Sequence, residues 1–247
     1  PRLQLTTFLA AHQEHKVTFT FIAPPVAVAL AKDPAVDSHD LSSLRGVFSG
    51  AAPLDDDLAR AVEQRLDIRV YQGYGLTEAS PVTHMNTDAN LSRGSVGRPV
   101  AGTEHKIVDP DSLEEIPVPA EGVSADGELW VRGPQVMSGY LGDEDATAES
   151  LPGDGWLRTG DLARQDHHGD VYIVDRLKEI IKYKGYQVPP AELEAVLLTL
   201  PDVADAAVVG ASDPETGEEI PKAYVVRQAV AEGDTRSEDE VATAIED

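Results

Sequence analysis

An α/β fold followed by a smaller α+β region is what three features of this chain predict. Helices and strands alternate up to about residue 90, short β segments separated by turn clusters follow from Gly94 to Val174, and a new strand–helix–strand–strand pattern begins after Asp175. In the first region, Leu5, Phe8, Leu9 and His12 recur at helical spacing over 5–15, and the β-rich run Val17 to Ile22 stops at Pro24-Pro25. Val26 to Lys32 reads as a short helix and Gly46 to Ser49 as a strand. Leu54 to Leu66 reads as a helix, with Leu58, Val62 and Leu66 on one face and Asp55–Asp57 at its positive end. A strand over Ile68 to Tyr71 then enters a Gly-rich turn. The alternation implies a mainly parallel sheet.

The second region offers Glu104–Val108, Glu128–Arg132, Trp156–Thr159 and Val171–Val174 as short strands, a pattern that suits an antiparallel, barrel-like sheet. The third offers Glu179–Tyr183, a helix over Pro190–Leu200, and strands Ala204–Val209 and Ala223–Val226. Only Ala229–Glu240 is polar enough to be a flexible stretch, and Ser237 to Asp247 reads as a starting helix. The chain opens on Pro1 and closes inside that helix, so it is expected to be part of something longer.

Composition narrows the chemistry. The 247 residues can bury a sizeable core, and 41% hydrophobic content is that of an ordinary globular protein. With no cysteine, a disulfide framework, a thiolate metal site and a cysteine nucleophile are all excluded. No run approaches the roughly 18 apolar residues of a membrane span, and no signal-peptide pattern opens the chain, so a cytoplasmic location is expected. An excess of 44 Asp+Glu over 20 Lys+Arg argues against nucleic acid as a partner. Against this net charge of -24, Arg176-Leu177-Lys178-Glu179-Ile180-Ile181-Lys182-Tyr183-Lys184 gathers four cations in nine positions, including three of the seven lysines. Such a positive island suits a phosphate-bearing ligand.

Two further segments carry candidate chemistry. In Gln72-Gly73-Tyr74-Gly75-Leu76-Thr77-Glu78 the glycines let backbone approach a ligand, Thr77 offers a hydroxyl to phosphate and Glu78 a hard carboxylate to Mg²⁺. Taken alone, a Gly-x-Gly after a strand is more often a tight turn. In Gly155-Trp156-Leu157-Arg158-Thr159-Gly160-Asp161-Leu162, Asp161 at a loop bend can accept both hydroxyls of a ribose, or simply cap a turn.

With Ser49-Gly50-Ala51-Ala52-Pro53, Gly127–Gly133, Met137-Ser138-Gly139-Tyr140-Leu141 and Val174–Gly185, these segments resemble the adenylate-forming superfamily of acyl-CoA synthetases, adenylation domains and luciferases. The order and spacing match over nearly the whole chain. The Ser-Gly-Ala-Ala-Pro-Leu element, the run from Ile180 to Val188 and Pro190-Ala191-Glu192-Leu193-Glu194 are most similar to the 4-coumarate:CoA ligase and firefly-luciferase branch. The resemblance implies a later part of the large adenylation domain over 1–176 and a small, incomplete mobile domain over 177–247.

The resemblance also implies roles. Gln72, Gly73 and Thr77 would line the adenylate with Met85 nearby, and Glu78 would hold Mg²⁺. Asp161 and Arg176 would take the ribose, Lys178 would be the hinge, and Lys182 and Gln187 would meet the acyl-adenylate in the second half-reaction. Lys184 and Gly185 would border the CoA channel, and Ala51, Gly73, Pro81 and Val82 the acyl pocket, where plain packing competes as a reading for Pro81 and Val82. ATP, Mg²⁺, CoA and a small carboxylic acid are the implied ligands. The implied function is an ATP-dependent acid:CoA ligase acting on a 4-coumarate-like or medium- to long-chain acid. A luciferase-like oxygenase, an acyl-AMP ligase or carrier-protein adenylation enzyme, and a non-catalytic nucleotide-binding half-protein remain open. The family's Ser/Thr/Gly-rich phosphate loop and its C-terminal catalytic lysine have no counterpart here, and Lys222 matches a structural strand instead, so the chain alone is expected to be inactive.

Overall fold

The structure, a computed structural model, describes residues 3–50, 54–184, 186–200, 203–213 and 219–227. Ala51, Gly185 and the candidate segments 229–240 and 237–247 lie outside the described residues. Two compact units emerge: Pro1–Thr159 with Ala163–Ile173, and Gly160–Leu162 with Val174–Asp247.

In the first unit, α1 (Leu5–His15), β1 (Phe19–Ile22), α2 (Pro24–Lys32), β2 (Gly46–Ser49) and α3 (Asp56–Leu66) alternate as expected. Pro24 and Pro25 end β1 yet begin α2, because proline is tolerated in a first helical turn whose N–H groups have no partner anyway. Asp55 caps α3, accepting from the Asp57 and Leu58 amides at 2.9 and 3.0 Å. Leu9, Ala27, Leu30, Val47, Val62 and Val70 share one buried cluster, which packs these helices on the sheet.

β3 (Arg69–Gly75) departs from expectation: the segment read as a Gly-rich turn is strand as far as Gly75. It pairs in parallel with β2 on one side and antiparallel with β4 (Val82–Met85) on the other, and β5 (Arg98–Pro99) completes the order β1-β2-β3-β4-β5. The glycines permit that pairing. A Cβ on Gly73 would lie 2.2 Å from Phe48 Cζ, and one on Gly75 1.9 Å from the Pro81 carbonyl oxygen.

β6 (Glu104–Val108), β7 (Glu115–Ile116), β8 (Gly127–Arg132), α4 (Glu144–Ser150), β9 (Leu157–Gln165) and β10 (Val171–Arg176) follow, and their strands form a second sheet of order β10-β9-β8-β6-β7. Its core gathers Ile107, Leu129, Val131, Leu157 and Val171. β9 runs well past the expected Thr159, so Asp161 sits inside a strand rather than at a loop bend; the strand absorbs Gly160 at φ 74°.

The second unit contains the hairpin β11 (Ile181–Tyr183) and β12 (Tyr186–Val188), then α5 (Pro190–Leu198) and the long antiparallel pair β13 (Val203–Ser212) and β14 (Glu219–Arg227). Glu194 of α5 accepts from the Val208 amide at 2.8 Å, which ties the helix to β13.

A buried histidine pair underlies the β3–β4 region. His84 is fully buried, its Nδ1 lies 3.0 Å from Thr83 Oγ1, and its Nε2 lies 2.7 Å from His105 Nδ1. Burial, reinforced by the neighbouring His105, pushes the His84 imidazole down to about 3, and burial lowers His105 as well. Both rings are therefore neutral in the folded chain at neutral pH, whereas in the unfolded chain each takes up a proton near pH 6.5. Below that pH the unfolded state binds more protons, so stability is full above about 6.5 and declines as pH falls towards 3. Each excluded proton costs about 1.4 kcal/mol per pH unit. Urea unfolding at pH 7, 6 and 5 should show a decline that is flatter in His84→Gln/His105→Gln; identical slopes would disprove the assignment.

Candidate functional site

The end of β3 delivers its chain into a closed loop. The Leu76 amide donates to the Pro81 carbonyl at 2.9 Å, the Ala79 amide to Leu76 at 3.0 Å and the Ser80 amide to Thr77 at 3.2 Å. Ser80 takes φ 54°, which turns the chain back into β4. Thr77 is exposed and Glu78 half-buried in this loop, so both a hydroxyl and a carboxylate are available on it. Gly73 and Met85 are direct cross-strand partners. Pro81 is exposed and Val82 half-buried, so neither is fully committed to packing. Gln72 is more constrained than its sequence implies: its side-chain oxygen accepts from the Leu54 amide at 3.2 Å, and its backbone is fixed by Asn86 at 2.7 and 2.9 Å.

The donor set here fits phosphate and Mg²⁺. Thr77 and Glu78 supply hard oxygen ligands, and among the described residues no group of three or more His, Cys, Asp or Glu could hold an ion unaided. Mg²⁺ is commonly held by one or two carboxylates plus substrate phosphates rather than by an all-protein cage.

In the second unit the structure brings together two further expected pairs. Arg176 Nε stands 3.8 Å from Asp161 Oδ1, and Arg176 also reaches Glu179 at 3.4 Å. Asp161 is the more enclosed partner, at 16% side-chain exposure against 71% for Arg176. Lys182 and Gln187 are direct cross-strand partners on the β11–β12 hairpin, and both are exposed while Ile181 beside them is buried. Period-two alternation puts Lys182 and Gln187 on one face and Ile181 on the other. Among the described residues the Lys182 ammonium has no ion-pair partner, and its backbone amide donates to Glu219 at 2.7 Å. Lys178 lies exposed in the turn that follows β10. Lys184 adopts φ 49°, and its ammonium lies 4.9 Å from the Tyr183 ring centroid.

Sequence reasoning missed Tyr140, whose hydroxyl donates to Glu78 Oε1 at 2.8 Å, and the His84–His105 pair. Both join residues far apart in the chain, and no local periodicity signals either contact.

Comparisons with known proteins identify the family. The model of the AMP-binding enzyme family matches residues 1–141, and that of the AMP-binding enzyme C-terminal domain matches 192–247. The rice (Oryza sativa subsp. japonica) 4-coumarate–CoA ligase 2 is 46% identical over 235 residues, 93% of this chain and 40% of that protein. The amide bond synthetase McbA from Marinactinospora thermotolerans superposes with a TM-score of 0.81 at 38% identity, covering 99% of this chain and 48% of its own. O-succinylbenzoate coenzyme A synthetase (MenE) from Bacillus subtilis, solved with ATP and magnesium ion, gives 0.79 at 30% identity, covering 94% of this chain and 46% of its own. The chain thus spans about two-fifths to half the length of these relatives. With a family model over more than half its residues, the chain belongs to the AMP-binding enzymes, the adenylate-forming superfamily.

Proposed function

We propose that the protein carrying this chain is an ATP-dependent acid:CoA ligase. A carboxylate oxygen attacks the α-phosphorus of ATP and pyrophosphate leaves; the CoA thiol then attacks the acyl carbonyl carbon of the resulting acyl-AMP and AMP leaves. The observation that carries the reading is the pairing of Lys182 with Gln187 on an exposed hairpin face. Two polar side chains presented together on one face of a two-stranded element suit a second half-reaction, in which a cation and an amide must meet the acyl-adenylate at once.

In this reading Thr77 hydrogen-bonds a phosphate oxygen and Glu78 holds Mg²⁺, while Gln72, Gly73 and Met85 border the adenylate. Bound Mg²⁺ neutralises phosphate charge as it develops. Asp161 takes the ribose diol, with Arg176 alongside. Lys178, in its exposed turn, is the hinge that lets the small domain, taken to begin after Arg176, present a different face in each step. Lys182 and Gln187 bind the acyl-adenylate during thioester formation, and Lys184 and Gly185 border the CoA path. Ala51, Gly73, Pro81 and Val82 line the acyl pocket. The similarity to 4-coumarate ligases supports an aryl or related hydrophobic acid as substrate.

A second reading keeps the first half-reaction and replaces the thiol by an amine; the likeness to McbA, an amide bond synthetase, favours it. Supplying acyl-AMP with CoA or with an amine separates the two, because only the true acceptor gives product.

Two variants of the full-length protein test the ligase reading. Lys182→Ala should leave pyrophosphate exchange nearly intact and slow thioester formation from supplied acyl-AMP by about a hundredfold, the range seen when one charge-stabilising donor is lost. Equal losses in both steps would refute the division of labour. Asp161→Ala should raise the KM for ATP, not that for the acid, by about thirtyfold, which corresponds to roughly 2 kcal/mol of hydrogen bonding to a charged group. An unchanged KM for ATP would overturn the ribose assignment.

A further inference from the structure

Glu78 is reached by a phenol from 62 positions further along the chain. Tyr140 Oη donates to its Oε1 at 2.8 Å. No packing demand explains that hydroxyl, since Tyr140 remains 39% exposed and its oxygen could equally be hydrated. The surrounding loop, however, is built to hold the tyrosine in place. The Met137 amide donates to the Glu78 carbonyl at 2.7 Å. The Tyr140 amide donates to Thr147 Oγ1 at 2.9 Å, and that hydroxyl donates to the Asp143 carbonyl at 2.7 Å. Gly139, at φ 145°, allows the close approach, for a Cβ there would meet Thr147 Cγ2 at 2.7 Å. One strap therefore grips both the backbone and the side chain of Glu78.

Such a grip has a chemical consequence. A glutamate side chain gives up considerable rotamer freedom when ordered, so a carboxylate that must meet a cation gains from being ordered beforehand. With Oε1 engaged by the phenol, Oε2 has no hydrogen-bond partner among the described residues and is open to a ligand.

We propose that Tyr140 is a positioning residue for Glu78: its hydroxyl fixes the carboxylate so that Oε2 faces a divalent cation carried on the phosphates of the nucleotide. This rests on the reading above that Glu78 holds the cation. The strap Met137–Tyr140 is then part of the metal site without touching the metal.

The test uses the full-length protein with Tyr140→Phe, Glu78→Gln and the double variant. Mn²⁺ retained by the protein–ATP complex is measured by electron paramagnetic resonance, and the Mg²⁺ dependence of pyrophosphate exchange is measured in parallel. Tyr140→Phe should weaken both by about fivefold, the scale of one net hydrogen bond, with the KM for the acid unchanged. Glu78→Gln should weaken them further, and Tyr140→Phe should add nothing in that background. If Glu78→Gln leaves metal dependence unchanged, the cation reading and this inference both fall. If Glu78→Gln acts while Tyr140→Phe lowers only stability in urea, the tyrosine assignment alone falls.

Discussion

The candidate site of the first unit hangs from one constraint, the close approach of β3 to its neighbours at Gly73 and Gly75. β3 is the strand at which pairing changes from parallel, with β2, to antiparallel, with β4. There the Phe48 ring leaves a Cβ on Gly73 only 2.2 Å of separation, and the Pro81 carbonyl leaves one on Gly75 only 1.9 Å. Any side chain at either position would push β4 outward and with it the loop that closes on Pro81. Thr77 and Glu78 ride on that loop, so backbone sterics set their placement first, and for Glu78 the contacts from Met137 and Tyr140 refine it. Ligand sites in open α/β sheets gather beyond the carboxyl ends of the parallel strands, and this loop leaves the carboxyl end of β3.

Charge imposes the next constraint. A chain of net charge -24 repels any phosphate-bearing ligand at long range, and salt screens that field beyond about 8 Å. Attraction must then come from cations met at contact distance. Within the second unit those cations are unequally available: Arg176 is shared between Asp161 and Glu179, whereas the Lys182 ammonium forms no ion pair among the described residues. An arginine already held by carboxylates suits orientation, because its guanidinium is fixed before the ligand arrives. An unpaired lysine suits a partner that appears only transiently.

Much of this was legible in the sequence because it is local. The helical spacing of apolar positions gave α1 and α3, Pro24-Pro25 marked the strand end though not the helix start, and Asp55–Asp57 marked the positive end of α3, where Asp55 proves to be the cap. Lys182 and Gln187 were named together only through the family resemblance, and the register of the hairpin sets them opposite each other. The misreadings share a cause. Glycines at 73, 75 and 160 read as bends by propensity, but cross-strand pairing overrides propensity, and two of them are required by atoms that arrive from elsewhere in the chain. The partners of Tyr140 and His105 were invisible for the same reason, each being met only after the sheets had formed, although Tyr140 itself stood in a quoted motif.

The hairpin β11–β12 shows how residue type and role can be separated. Tyr183 pairs with Tyr186, which leaves a two-residue connection whose first member, Lys184, is left-handed at φ 49°. Turn chemistry alone favours glycine in the second place of such a connection. Glycine at 185 therefore has an ordinary turn reading by residue type beside the proposed one at the CoA path. The side chains at 182 and 187 stand differently: the register sets them face to face, the buried Ile181 sets the opposite face, and nothing in the fold requires a lysine and a glutamine in the exposed pair. Functional weight belongs with residues whose chemistry exceeds what the backbone demands, and by that measure it falls on Lys182 and Gln187 before Gly185.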